Sequence, residues 1–488
     1  MTKFLSIFGF LSLILLSSFQ NFGGKTESTF KAINKNVDRK SNAFENLKLA
    51  TQQIGHRLTG SENGKKAEDF IANTLKSYGY SNTDFQPFEV NSWSRGKLDL
   101  VIVPDNSDNF REVDAVSLGH SPKAAHVRAK IVDCGDGLYE DFEKVAVDLN
   151  GKVAMFNVDV RSSKNQGKKN LHRSEKTALA IKHGAVAVIL INKVKGDVLL
   201  TGTASVTGEL IDIPAICISY DSGRNIRHWI YDEKNITADI DMLNFFRPVK
   251  ARNVRAIHND KAKNASEKIV IGAHLDSWDL AQGAVDNGLG AFSILDIARV
   301  FSELKLKTKR PIEFAFFMGE EQGLLGSKAY VNHAIEHKEL QNIGLMINLD
   351  MLNNCSGFNA FGNDELKTMI DETGDIISEM FGEYGNNNSN HAGLHSDHEY
   401  FMLAGVPVCV PSGKLTEDVL NCYHADCDSF DLINKSEIEN NVKYVSMMLY
   451  ALANAKSLPK HKNAEETRDY LIAQNLKEEL ILGKKWRW

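Results

Sequence analysis

Between about residues 248 and 455 the chain alternates short apolar runs with helical segments, and this alternation limits the possible folds more than any other feature. The predicted elements of this block are, in order, strand Lys268–Ala273, helix Gly288–Leu304, strand Pro311–Met318, helix Gly323–His337 and strand Ile343–Leu349. Such an alternation is typical of βαβ units, and uninterrupted apolar strands indicate a sheet covered on both faces. The sequence therefore predicts an α/β domain whose functional groups lie at the carboxyl ends of its strands.

The rest of the chain, which is long enough for two or three domains, has other patterns. Residues 25–96 contain two helical stretches followed by an extended segment. Residues 97–246 contain short strands and glycine turns, with one predicted helix at Ser174–His183. Because this middle block has no convergent carboxylates or histidines, we interpret it as a structural or substrate-gating lid.

These patterns predict one domain formed by residues 25–96 and 247–456, interrupted by a lid domain at residues 97–246. Residues 457–488 form a C-terminal tail, for which the pattern predicts one amphipathic helix.

The first 20 residues are typical of a secretory signal peptide. Lys3 precedes an apolar run from Phe4 to Leu16, which is shorter than the roughly 20 residues that a membrane span requires. No later apolar run has spanning length, so we expect export to the periplasm or the cell exterior. A net charge of −6 gives no electrostatic reason to expect a nucleic-acid partner.

Carboxylates and histidines follow each predicted strand of the α/β block, and another histidine lies in a later loop. These residues are His274 and Asp276 after the first strand, Asp286 in the next loop, Glu320 and Glu321 after the second strand, Asp350 after the third strand, and His424. Each alone has an ordinary interpretation as a turn or cap residue. Their occurrence together at successive strand ends favours a metal-dependent active site.

Histidine and carboxylate side chains suit zinc, and also manganese or cobalt. Five ligands can hold two ions when one carboxylate bridges them. We assign His274 and Asp350 to one ion, Glu321 and His424 to the other, and Asp286 to both.

Two acidic residues remain beside these ligands. Glu320 is free to take a proton from the attacking water and to give it to the leaving amine. Asp276 is predicted to orient the His274 imidazole and to fix its tautomer.

Five motifs resemble those of the di-zinc exopeptidases that include plasma glutamate carboxypeptidase (carboxypeptidase Q) and bacterial leucyl aminopeptidase. They are His274–Asp279, Gly283–Gly288, Gly319–Gly323, Asp350 and Tyr423–His424, and the resemblance covers about residues 40–455. The first motif is most similar to the carboxypeptidase Q branch. The resemblance implies an aminopeptidase-like mixed sheet flanked by helices, with an inserted, mainly β protease-associated domain. It also implies two zinc ions, hydrolysis of short peptides and homodimers.

The terminal specificity stays open between a carboxypeptidase or dipeptidase and an aminopeptidase. Ser396–His398 resembles the aminopeptidase members, unlike the first motif. Tyr423, His395 and His398 are candidate substrate contacts, and His56 and Arg57 are further candidates. Cys422 and Cys427 are close enough in sequence for a disulfide around His424.

Two other classes share this resemblance. A single-zinc transferase of the glutaminyl cyclase type would have an incomplete ligand set and no lid. A non-enzymatic receptor ectodomain would have lost ligands. The complete set, together with Glu320, argues against both.

Overall fold

The computed structural model of the protein describes residues 23–104, 110–233, 235–262, 264 and 267–488. The predicted signal peptide, residues 1–20, lies outside these ranges. Within them the strands are β1 (Asp84–Pro104), β2 (Arg111–Glu112), β3 (Ala115–Ser117), β4 (Ala124–Asp133), β5 (Val153–Asn157), β6 (Ala187–Ile191), β7 (Ala215–Ile218), β8 (Ile236–His258), β9 (Lys268–His274), β10 (Ile312–Phe317), β11 (Ile343–Asn348), β12 (Gly357–Asn359) and β13 (Val408–Ser412).

The described residues also form fourteen α-helices. They are α1 (Gly23–Lys40), α2 (Ala43–Gln53), α3 (Glu62–Ser77), α4 (Tyr139–Leu149), α5 (Arg173–Lys182), α6 (Tyr220–Glu233), α7 (Leu289–Glu303), α8 (Leu325–Glu336), α9 (Asp364–Met380), α10 (His398–Leu403), α11 (Glu417–Asn421), α12 (Lys435–Asn454), α13 (Ala464–Ala473) and α14 (Lys477–Leu482). None of them combines the length and the hydrophobicity that a membrane span needs.

The predicted α/β block forms one half of a continuous mixed sheet, in the order β12-β13-β11-β9-β10-β8. Strand β9 pairs in parallel with both β10 and β11, and β11 pairs in parallel with β13. The central strands are buried along almost their whole length, as their uninterrupted apolar sequences predicted. Helices α2, α7 and α12 cover one face, and α8 and α10 lie on the other.

Two long antiparallel strands, β1 and β8, join this half to the inserted block, and their register shifts between Arg95 and Leu98. Beyond them the sheet continues through parallel strands β4, β5, β6 and β7 to antiparallel β3. The shift lies beside the predicted boundary at residues 96 and 97.

The inserted block contains more helix than its sequence indicated. The predicted helix is present as α5, and α4 and α6 are further helices that the sequence pattern did not predict. Gly223 lies inside α6 at a point where a Cβ would overlap the Ile191 side chain. Here the glycine permits close packing of a helix on the sheet rather than a bend in the chain.

The tail forms two short helices, α13 and α14, instead of the single helix predicted. Leu471, Leu476 and Leu480 are fully or almost fully buried in the core that contains α8 and α10. Lys485 continues this attachment through an ion pair with the buried Glu399, at 2.5 Å between Nζ and Oε1. The tail is therefore an integral part of the α/β half.

Candidate metal centre

The ends of three adjacent parallel strands bring the predicted ligands to one edge of the sheet. His274 is the last residue of β9, Glu321 follows β10, and Asp350 follows β11. Because β9 pairs with both neighbours in parallel, their carboxyl ends coincide. Asp286 reaches the same edge from the loop before α7, and His424 reaches it from the loop after α11.

The five side chains form two groups that share one carboxylate. Asp286 Oδ1 lies 3.2 Å from His274 Nε2, which is 3.4 Å from Asp350 Oδ1. Asp286 Oδ2 lies 3.0 Å from His424 Nε2, which is 3.1 Å from Glu321 Oε2. The two oxygens of one carboxylate thus face two separate donor pairs, which is the arrangement of a bridging ligand.

A network of hydrogen bonds holds the loop that carries Asp286. The Asp428 carboxylate accepts hydrogen bonds from the backbone amides of Val285, at 2.7 Å, and Asp286, at 3.0 Å. The Asn287 side chain donates to Leu349 O at 2.8 Å and accepts from Met351 N at 3.1 Å. These contacts fix the shared carboxylate relative to the end of β11.

Each histidine is oriented through its second ring nitrogen. His274 Nδ1 donates to the backbone oxygen of Asp276 at 3.1 Å, while the Asp276 carboxylate is 3.6 Å away. His424 Nδ1 donates to the backbone oxygen of Thr201 at 3.3 Å. Thr201 belongs to the inserted domain. Both contacts leave Nε2 directed at the carboxylates, as a metal-binding imidazole requires.

Asp276 has a wider role than the predicted orientation of His274. Its carboxylate accepts hydrogen bonds from Thr59 Oγ1, at 2.9 Å, and from the Glu320 backbone amide, at 3.2 Å. It therefore positions the loop after β10 as well as the end of β9. The Glu320 side chain lies on the cavity wall and makes no contact with the other carboxylates short enough for a hydrogen bond among those described.

The charges of the site favour cations. Burial lowers the pKa of His274, but the negative charges of Glu320 and Asp350 outweigh it and raise this pKa well above its usual value. At His424 burial is likewise outweighed, chiefly by Glu321, and the pKa rises to about 9. Burial opposes ionisation of Asp286, yet hydrogen bonds from both imidazoles lower its pKa. Positive charge, whether carried by protons or by metal ions, is thus stabilised here.

The donor set fits divalent metal ions. Glu321 Oε1 is buried without a hydrogen-bond partner in the described part of the chain, although buried polar atoms are nearly always paired. One donor group consists of His274, Asp286 and Asp350, and the other of Asp286, Glu321 and His424. Within each group the ligand atoms lie within 4.8 Å of one another. Imidazole and carboxylate ligands in this number suit zinc.

The predicted substrate residues have different positions. Tyr423 and His395 line the cavity beside the metal centre. His398 is not among the lining residues; its Nε2 bonds to Gly393 O at 3.2 Å and its ring packs against Phe361. The structure therefore does not bring His398 together with the other candidate substrate residues, because its side chain is directed into the core.

Arg57 lies beneath the site rather than in the cavity. Its guanidinium donates to the backbone oxygens of Leu275, Gln282 and Gly283, at 2.6 to 2.9 Å. It thereby fixes the two loops that carry His274 and Asp286. A disulfide joins Cys422 to Cys427, with 5.2 Å between the Cα atoms, and closes the loop around His424.

Three residues that position the metal ligands were not predicted from the sequence: Thr201, Asp428 and Arg95. Arg95 binds Asp279 through two hydrogen bonds of 2.7 and 2.8 Å, and it also donates to Thr201 Oγ1 at 2.9 Å. The acidic character of the His424 loop was a signal for Asp428, but no local pattern identifies Thr201 or Arg95.

The metal centre opens into a cavity of about 580 Å³. Its wall has three sources: the metal-binding half of the sheet, residues 172–175 and 203–207 of the inserted domain, and residues between Glu479 and Arg487 of the tail. Access to the metal ligands is thus bounded by all three parts of the chain.

Comparison with known families agrees with this architecture. Residues 253–449 match the model of Peptidase family M28, and residues 124–226 match the PA domain. The chain therefore contains a peptidase family M28 domain and an inserted PA domain. The M28 match contains all five predicted ligands and Glu320.

Curated relatives and solved structures extend over most of the chain. Carboxypeptidase Q of Bos taurus is 21% identical over 85% of this chain and 86% of its own length. Aminopeptidase YwaD of Bacillus subtilis is 26% identical over 86% of each protein. A peptidase M28 precursor from Shewanella amazonensis, 24% identical, superposes with a TM-score of 0.78 over 90% of this chain and 99% of that chain. A zinc aminopeptidase from Bacillus subtilis, also 24% identical, superposes with a TM-score of 0.64 over 87% of this chain and 97% of that chain.

Proposed function

We propose that this M28 peptidase is a zinc-dependent exopeptidase that hydrolyses short peptides with two metal ions. The observation that carries the proposal is the Asp286 carboxylate, whose two oxygens face His274 on one side and His424 on the other. Both curated relatives are exopeptidases by name, and one structural neighbour is described as a zinc enzyme. The complete ligand set argues against both a cyclase and a receptor, and the PA domain also argues against a cyclase.

The residues divide the chemistry among them. The two ions would be held by His274, Asp350, Glu321, His424 and the shared Asp286. When bound, such ions polarise the scissile carbonyl and acidify water. Glu320, on the cavity wall, takes the proton of the attacking water and gives it to the amine as the C–N bond breaks. Tyr423, also on the wall, donates a hydrogen bond from its hydroxyl group to the carbonyl oxygen as negative charge develops there.

Glu320→Gln tests this assignment because it keeps the size of the side chain and removes its basicity. We expect loss of at least about 100-fold in kcat, with zinc content unchanged, since general bases typically contribute 10²–10⁴-fold. Hydrolysis of a panel of short peptides is followed by mass spectrometry on zinc-loaded protein. Glu336→Gln, an exposed carboxamide substitution at the end of α8, is the control.

Two results would contradict the proposal. One is a zinc-loaded wild-type enzyme that releases no terminal residue from any short peptide. The other is a Glu320→Gln variant as active as Glu336→Gln.

Export and assembly belong to the same proposal. A signal peptide at residues 1–20 would direct the enzyme to the periplasm or the exterior, which N-terminal sequencing of the mature protein tests. The homodimer implied by the family resemblance stays a prediction, which light scattering on purified protein tests.

A further inference from the structure

One buried cation of the cavity wall lacks the partners that other buried arginines have. Arg173, the first residue of α5, is 6% exposed, and its Nε has no hydrogen-bond partner among the described residues. In contrast, Arg57 binds three backbone oxygens, Arg299 binds both oxygens of Asp296, and Arg310 binds Glu267 and Ala455 O. Because an unpaired buried donor is costly, the unused Nε points to a ligand.

The position of Arg173 is fixed by its surroundings. A Cβ at residue 202 would overlap the guanidinium, and Gly202 has a φ of +128°, so only glycine leaves this space open. On its other side the guanidinium lies beside the Tyr423 side chain, and its charge acts on the pKa of the neighbouring His424. The inserted domain therefore presents a rigid cation next to the metal ligands.

Nearby carboxylates are engaged elsewhere. Glu399 is paired with Lys485, Glu479 is paired with Lys169, and Glu175 accepts a hydrogen bond from His172 N at 2.7 Å. Among the described residues no ion pair joins Arg173 to a carboxylate of the protein. Its charge is thus available to an acidic group that enters the cavity.

Two histidine rings lie beside Arg173 at this end of the cavity. The rings of His172 and His395 stack with their centroids 4.8 Å apart, next to Arg173. Burial, together with the positive charges of Arg173 and Lys485, lowers the pKa of both histidines and keeps them neutral. A neutral imidazole can still donate one hydrogen bond, so these rings add donors without added charge.

We propose that Arg173 binds the free α-carboxylate of the peptide substrate, so that the enzyme acts as a carboxypeptidase or dipeptidase and not as an aminopeptidase. The inference rests on the proposed exopeptidase function and specifies its substrate. A guanidinium suits this task because its planar donors match a carboxylate and its charge is permanent. Its place beside Tyr423 sets the carboxylate close to the scissile bond of the last residue.

The test compares three dipeptide derivatives: alanyl-leucine, its C-terminal amide, and the amide of alanyl-glutamate, which has only a side-chain carboxylate. Zinc-loaded wild type should prefer the free acid. Arg173→Met should lower kcat/KM for the free acid by about 10- to 100-fold, mainly through KM, and change the two amides little. Arg173→Lys, which keeps the charge, should restore part of the loss. Lys328→Met, which removes an exposed cation from the same cavity, is the control.

Several outcomes would overturn the inference. An equal loss of kcat/KM for the free acid and the amides in Arg173→Met would mean that Arg173 supports Tyr423 or the fold. A loss confined to alanyl-glutamate amide would place a side-chain carboxylate at Arg173. A wild type that prefers the amides would be an aminopeptidase, which leaves the proposed exopeptidase function intact.

A binding measurement separates failure of this inference from failure of the proposed function. Calorimetric titration of alanyl-leucine into the Glu320→Gln protein needs no turnover. Adding Arg173→Met should weaken this binding by about the same 10- to 100-fold, and leave binding of the amide unchanged. Unchanged binding of the acid would reject the carboxylate site whether or not the wild type hydrolyses peptides.

Discussion

At the scale of single residues, His120 is buried in an unusual state. Its backbone has a φ of 69°, its Nδ1 lies 2.9 Å from Thr203 Oγ1, and its Nε2 has no partner within the described residues. Complete burial lowers the pKa of His120 to about 4. The folded protein therefore holds a neutral imidazole throughout the neutral and mildly acidic range.

This burial predicts a specific pH dependence of stability. An unfolded histidine has a pKa of about 6.5, so between that value and about 4 the unfolded chain binds a proton that the folded chain does not. The free energy of unfolding should hence be undiminished above pH 6.5 and fall by about 3 kcal/mol as the pH drops to 4. His120→Asn, which tolerates the same backbone conformation, should remove this part of the slope.

Urea unfolding at several pH values between 7.5 and 4.5 measures the effect. His126→Asn is the control, because His126 is an exposed partner of Asp239 and should leave the slope as in the wild type. Equal slopes in the wild type and His120→Asn would reject the prediction.

At the scale of elements, strand β1 connects the metal centre to the inserted domain through Arg95. Its guanidinium binds Asp279, Ser117 O and Thr201 Oγ1, and Thr201 O in turn accepts from His424. Arg95→Met should therefore loosen His424 and lower zinc affinity by about 10- to 100-fold, the usual effect of losing a residue that orients a ligand. Competition with a coloured chelator measures this affinity.

Arg252→Met serves as the matched control for Arg95→Met. Arg252 is similarly half-buried, but its ion pairs are with Glu68 and Asp69, which are not metal ligands. Equal zinc affinity in the two variants would show that the PA domain does not orient His424.

The elements also show how far the sequence can be interpreted. The strands β9, β10 and β11 and the ligands that follow them were predicted, because apolar runs and the residues at their ends are local features. Thr201 and Arg173 could not be predicted, since the contact between Thr201 and His424 spans 223 residues and depends on the docking of the inserted domain. Helix α6 was not predicted for a related reason: Gly223 allows α6 to pack closely on Ile191, and no local sequence pattern records that contact.

At the scale of the whole molecule, metal binding is expected to stabilise the fold. The unfolded chain separates His274 from His424 by 150 residues, so the donor groups exist together only in the folded state. Zinc at about 100 times its dissociation constant should then add about 2.7 kcal/mol to the free energy of unfolding. For a protein of this size that corresponds to a Tm about 3 °C higher than in a chelator.

Asp286→Asn tests whether this stabilisation passes through the shared carboxylate. The amide keeps the shape of the side chain but loses the charge that faces both imidazoles, so the zinc-dependent rise in Tm should largely disappear. Asp239→Asn, on the surface of the inserted domain, should retain the full rise. Scanning calorimetry with zinc and with chelator gives both values. A full rise in Asp286→Asn would mean that zinc stabilises the protein from another site, and that the two donor groups are not joined by one bridging carboxylate.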